Sequence, residues 1–141
     1  YFGQETFEAA QKKGPLTEPA YRTALERDQK LSRAEGIDLA LSKNHLDALV
    51  ALTGGAAWTT DLVNGDHYLG SSTTPAAVAG YPSITVPAGA VAGLPVGVSF
   101  FSTAWTEQTL IKFAFAFEQA TKQRQAPSLR PAVSFDAPAK K

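Results

Sequence analysis

With 141 residues, 44% of them hydrophobic and 18% charged, the chain has the composition of one globular domain rather than of a disordered polymer. Thirteen Lys and Arg balance thirteen Asp and Glu, which gives no electrostatic footprint for nucleic acid or an anionic membrane; no apolar run reaches the roughly 18 residues of a membrane span. Cysteine is absent, which excludes disulfides, thiolate metal sites and a Cys nucleophile and leaves the cellular compartment open.

Methionine is absent too, and a chain that begins at Tyr1 reads as processed or as a piece of a longer one. Charge is uneven along it. Residues 1–47 carry eight carboxylates and seven basic groups, whereas residues 48–111 hold no Lys or Arg and only Asp61, Asp66 and Glu107 as acids. A stretch that long without a cation reads as buried, and the charged flanks read as solvated helices and a tail.

Residues 5–13, ETFEAAQKK, predict a short helix stopped by Gly14-Pro15. Thr17 is the expected N-cap of a second helix that runs to about Ser42, with Glu18 and Pro19 in its first turn and Gly36 interrupting it. LDALVAL at 46–52 is a short apolar run and predicts a buried strand. Residues 53–73, TGGAAWTTDLVNGDHYLGSST, form a long irregular segment, which in a compact domain is usually functional or disordered; Trp58 and Tyr68 favour order. Thr74 is the expected cap of a short helix from Pro75 to about Gly80.

SITV, introduced by Pro82 and closed by Pro87, then predicts a strand that GAVAG turns back into PVGVSFF at 95–101. Both strands are almost continuously apolar, so both faces should be covered. A last helix is expected over 106–124, with Leu110, Phe113, Ala114 and Phe117 on its buried stripe and Phe115 turned away from it. The segment from Ala126 carries three prolines and reads as a mobile tail, so the domain is expected at 1–125 and the tail at 126–141. The predicted fold class is α/β, with helices flanking a mixed sheet.

Chemistry-bearing residues are few. Ser71-Ser72 invites a nucleophile reading, with His67 four residues before Ser71 and Asp61 and Asp66 near it. The G-x-S-x-G pattern is missing, however, and GSSTTPA reads more simply as the approach to a helix, with turn and capping hydroxyls. Asp61, Asp66 and His67 match no metal-ligand spacing, so no metal site is expected. The glycines at 89, 93 and 97 do not make a dinucleotide fingerprint.

Four stretches carry a family resemblance: YFGQETF at 1–7, LDALVALT at 46–53, WTTDLVNGDHYLGSSTTPAAVAGYPSITVPAG at 58–89 and GLPVGVSFFSTAWTEQTLIKFAFAFEQAT at 93–121. In order and spacing, to about Pro127, the chain resembles the C-terminal portion of amidase signature enzymes, and most of all their bacterial peptide-amidase-like members. The resemblance implies a hydrolase of amide C–N bonds that uses a Ser–cis-Ser–Lys triad and no cofactor. The Gly/Ser-rich signature that carries the two serines has no counterpart here, nor does the upstream segment that supplies the lysine, so no catalytic residue is assigned to this chain.

What the resemblance leaves to the chain is scaffold and part of a substrate pocket, with the 56–70 loop as its wall and Trp58, Thr59, Thr60 and Asp61 as the contacts for a small amide substrate. The implied partner is the N-terminal portion of the same amidase. Alone, the chain is expected to expose apolar surface along 46–52 or 83–101 and to self-associate. Leu52 stands where family members usually have Pro. Gly70 stands close to where glutamine-specific transamidating members carry an acid, which argues against that branch. Two readings of other classes stay open: a stand-alone, non-catalytic binding or assembly module, and a separate small hydrolase built on Ser71 or Ser72.

Overall fold

A computed structural model of the chain describes residues 3–127; the predicted tail therefore lies almost wholly outside the described residues. Helix α1 spans Glu5–Gln11 and α2 spans Pro19–Ser32. The residue at the start of α2 is Glu18 in an extended conformation, one position later than the expected Thr17, because Pro19 with its fixed φ is well placed as the first helical residue. The expected interruption at Gly36 is present, as a change of helix type rather than a gap. The glycine sits in a π-turn, Arg33–Ile37, that leads directly into α3, Asp38–Asn44. A side chain at Gly36 would place its Cβ 2.5 Å from the Leu31 carbonyl oxygen. The widened turn thus brings backbone to where only a glycine fits.

Helix α3 ends on His45 in the left-handed region, with the Leu46 amide returning to the Leu41 carbonyl (2.9 Å). That closure uses Leu46, so strand β1 covers only Leu49–Leu52 rather than the expected 46–52. Helix α4, Thr73–Ala79, begins two residues before the expected Pro75. Strand β2, Ser83–Val91, continues past Pro87 through a bulge: Pro87 pairs with Gly97 and Gly89 with Val96, which leaves Ala88 as the extra residue. Strand β3 is Leu94–Phe101 and helix α5 is Glu107–Thr121.

The sheet order is β1-β3-β2. The α/β architecture is present, helices packed on a sheet, with antiparallel pairings throughout the described strands where a mixed sheet was predicted. The departure lies at β1, which runs antiparallel to β3 with Leu49 opposite Phe101, whereas the β2–β3 pairing is the expected hairpin. Ala92 and Gly93 both have positive φ (50° and 80°), the signature of a type I′ turn, and so tight a turn forces the strands to run antiparallel.

Both sheet faces are covered, as continuous apolar strands require. On one face α5 lies over β2 and β3, where Phe100 meets Phe113 and Phe117 (ring centroids 6.4 and 6.0 Å apart) and Leu110 is 1% exposed. On the other, Phe101 joins Ile37 and Leu41 from the helical arm and Ala76 and Ala79 from α4. A polar brace crosses this second layer. Arg33 Nε donates to the Ala79 carbonyl (2.6 Å), its guanidinium lies 5.5 Å from the centre of the Tyr81 ring, and the Tyr81 hydroxyl donates to Asp38 Oδ2 (3.0 Å). Burial first, and the bond to Asp38 second, push the Tyr81 phenol above its ordinary value.

Strand β1 is covered less well. Val50 and Leu52, on the α5 face, are 61% and 68% exposed. Its outer edge pairs with no strand among the described residues.

Candidate functional site

The long segment between β1 and α4 is held at both ends. Thr53 N donates to the Gly97 carbonyl (2.8 Å), Ser72 N donates to the Thr53 carbonyl (3.2 Å), and Gly54 and Ser71 form an antiparallel bridge. Beneath this neck, Thr53, Thr85 and Ser99 share a hydroxyl cluster: Thr53 to Ser99 2.7 Å, Thr85 to Ser99 2.8 Å. Ser99 is 1% exposed, so its hydroxyl needs these partners. Gly97 allows the cluster to close, since a Cβ there would stand 2.8 Å from Thr85 Cγ2 and 2.9 Å from Thr53 Oγ1. The loop is thereby fixed to the sheet by its stem.

Above the stem the loop carries a small aromatic and polar group. Trp58 and Tyr68 pack edge to face at 6.1 Å, and Trp58 Nε1 donates a long bond to Asp66 Oδ1 (3.4 Å). The Tyr68 hydroxyl donates to Ser71 Oγ (3.2 Å), which in turn lies 2.9 Å from Thr73 Oγ1. Trp58 is 40% exposed, so its ring offers an open face beside an acid and two hydroxyls. An open groove lined by Leu52, Gly55, Leu69 and Ser72 runs along the stem.

The four residues expected at a pocket wall divide here. Trp58 belongs to the cluster. Thr59 and Thr60 are exposed and make no side-chain hydrogen bond among the described residues. Asp61 is engaged inside the loop: Oδ1 accepts from Val63 N and Asn64 N, and Oδ2 accepts from Asn64 Nδ2, all at 2.9 Å. The Asn64 amide first, then the Asn64 side chain and the Val63 amide, hold its carboxyl below the ordinary value. Residue patterns missed Tyr68, Asp66 and Ser71 as the companions of Trp58. The available signal was the pair of large aromatics in an otherwise polar loop.

Ser71 and Ser72 do not form a nucleophile–base pair. Ser71 Oγ faces Tyr68 and Thr73 rather than His67, and Ser72 stands at the start of α4 with its Oγ buried and without a hydrogen-bond partner among the described residues. A hydroxyl attacks a carbonyl only when a base removes its proton, and here neither an imidazole, an amine nor a carboxylate bonds to either serine among the described residues. Among those residues no three His, Asp or Glu side chains gather as metal ligands would. The arrangement offers stacking, hydrogen-bond acceptors and shape, which are the means of binding.

Comparison with known proteins places the chain in a family. The family model for amidases matches residues 7–111. An Arabidopsis thaliana protein named "Probable amidase" is 39% identical over 127 residues, which cover 89% of this chain and 21% of that protein. A glutamyl-tRNA(Gln) amidotransferase polypeptide from Desulforudis audaxviator is 47% identical over 55 residues, 38% of this chain and 11% of that one. Among solved structures, the native peptide amidase from Stenotrophomonas maltophilia superposes with a TM-score of 0.81 at 47% identity, covering 90% of this chain and 25% of that enzyme. The chain thus spans about a quarter or less of the length of these relatives. It belongs to the amidase signature family.

Proposed function

We propose that the chain is the C-terminal scaffold and substrate-pocket segment of an enzyme that hydrolyses amide C–N bonds, with the Ser–cis-Ser–Lys triad supplied by a preceding portion of the same protein. Residues 1–125 are the amidase portion in this reading, and 126–141 are an appended segment. The observation that carries it is the stem-fixed loop: it presents Trp58, Tyr68 and Asp66 from a rigid sheet while containing no activated nucleophile. The exposed Val50 and Leu52 beside a strand edge unpaired among the described residues support a partner there, namely the rest of the amidase, and in its absence self-association of the isolated chain. The likeness to a peptide amidase supports a peptide amide as the substrate class.

In the complete enzyme Trp58 packs against the substrate beside the reacting amide, and the hydroxyls of Tyr68 and Ser71 hold the loop to α4. The chemistry belongs to the other portion: serine attack on the carbonyl, proton relay through the second serine to lysine, and oxyanion stabilisation by backbone N–H groups.

The test uses the full-length amidase and the 141-residue chain side by side on peptide amides and simple esters. Trp58→Ala in the full-length enzyme should raise KM about tenfold, the equivalent of about 1.4 kcal/mol of binding, with an unchanged melting temperature. The isolated chain should turn nothing over. Turnover by the isolated chain that Ser71→Ala or Ser72→Ala abolishes would overturn the reading, as would a Trp58→Ala enzyme with native KM.

A further inference from the structure

The tip of the loop carries Asn64-Gly65, both exposed, and Gly65 has a positive φ of 85° with open space where a side chain would project. Glycine leaves its own amide nitrogen unshielded on the side of the preceding residue. An asparagine followed by such a nitrogen has an intramolecular reaction open to it. The Gly65 nitrogen, losing its proton to water or hydroxide, attacks Asn64 Cγ. The C–N bond to the side-chain amide breaks, ammonia leaves and a five-membered succinimide remains. Water then opens either ring carbonyl, giving aspartate at position 64 or isoaspartate, in which the chain runs through the former side chain. Only water is consumed and no redox step occurs.

Both reacting groups are held by one residue. Asn64 Nδ2 donates to Asp61 Oδ2 (2.9 Å), and the Gly65 amide donates to the Asp61 carbonyl oxygen (3.1 Å). The Asn64 and Val63 amides close the turn on Asp61 Oδ1 (2.9 Å each). With its proton engaged, the Gly65 nitrogen is a poor nucleophile. With its amide group tied back, Asn64 cannot swing toward that nitrogen. Reaction requires the Asp61 clasp to open, so its rate follows the population of the open loop.

We infer that Asn64 is a site of spontaneous conversion to aspartate and isoaspartate, and that Asp61 is the positioning residue that holds the conversion back. The product is self-propagating in its effect on the loop. A carboxylate at position 64 has no N–H to offer Asp61 Oδ2 and repels it instead, so the turn that carries Trp58 and Tyr68 loosens. Any loss of amide hydrolysis that follows rests on the pocket reading above, whereas the conversion itself does not.

The chain contains a second asparagine, Asn44, exposed at the end of α3 and followed by His45, which serves as the internal comparison. The full-length amidase and the 141-residue chain are incubated at mildly alkaline pH, and peptide mapping with isoaspartate detection follows both asparagines. Conversion is expected at position 64 well ahead of position 44, to be lost in Asn64→Gln, and to run about tenfold faster in Asp61→Ala. Melting temperature controls for global unfolding, and Gly65→Ala, which crowds the nucleophile, should slow the reaction. An intact Asn64 when Asn44 has converted, or an Asp61→Ala rate equal to that of the parent, overturns the inference. Conversion at the expected rate with no change in KM would leave the inference standing and count against the pocket reading alone.

Discussion

Leu110 and Asp61 stand at the centres of two regions that are built by different forces. Around Leu110, β2, β3 and α5 exclude water from a layer of Phe and Val side chains, and the region is specified by area removed from solvent. Around Asp61, the 53–72 loop has almost no buried apolar group and is specified by individual hydrogen bonds between exposed atoms. Cooperative packing spreads the cost of any change through the whole domain, whereas a turn held by a few bonds opens alone. The proposed substrate contacts and the proposed reactive asparagine both lie in the second region, and the rigid packing lies in the first.

The sharpest way to break this contrast is Leu110→Ala. It should cost about 2–5 kcal/mol, the range for a buried leucine, and should lower the denaturant midpoint and the exchange protection of β2, β3 and α5 together. Protection lost in α5 alone would show that the region is less cooperative than its packing implies. Gly97→Ala acts at the joint between the regions, because its Cβ would press on both Thr53 and Thr85. A cost of about 1–3 kcal/mol is expected from that overpacking, with loss of protection at both Thr53 and Ser99.

Ala92→Asn sharpens the contrast from the other direction. Alanine at a positive φ in a type I′ turn is a poor choice, and asparagine before Gly93 should stabilise the fold by about 0.5–1 kcal/mol, read as a raised melting temperature. The smallest effect belongs to Asp61. Its carboxyl titrates below the ordinary 3.8, so the bonds it accepts are at full strength above that pH and are lost as pH falls through the lower value. Trp58 fluorescence in a Trp105→Phe background should report the loop opening in that acid window, ahead of the transition seen by far-UV circular dichroism. Coincident transitions would mean that loop and sheet unfold as one.

Periodicity and apolar continuity made most of the packed region legible. The Leu110, Phe113 and Phe117 stripe faces the sheet, Phe115 turns away, and both faces of β2 and β3 are covered. Details that depend on backbone closure were not legible. The π-turn at Gly36 arises from a close approach to Leu31 O five residues earlier, and a propensity scale sees only a poor helix former there. Pro87 looked like a strand end because it lacks an N–H; it is instead accommodated by the bulge and pairs with Gly97. In the loop, Trp58 was legible by type, but its companions Asp66 and Tyr68 are brought to it by the turn at 61–65. Hydrogen bonds accepted by the Asp61 carboxylate define that turn, and no pattern of hydrophobicity records them.

The strand order also sets a schedule. Strand β3 is central in the described sheet yet the last of the described strands in sequence, and β1 and β2 touch it rather than each other. The β2–β3 hairpin closes across two residues and forms on the time scale of local contacts, while Leu49 must wait for Phe101, which lies beyond the whole loop and α4. During synthesis on a ribosome β1 therefore leaves the exit tunnel long before its neighbour exists, carrying Leu49, Val50 and Leu52 unpaired. In the growing polypeptide this four-residue strand, like Ile37 and Leu41 before it, stays without its partner on β3 until Phe101 has emerged.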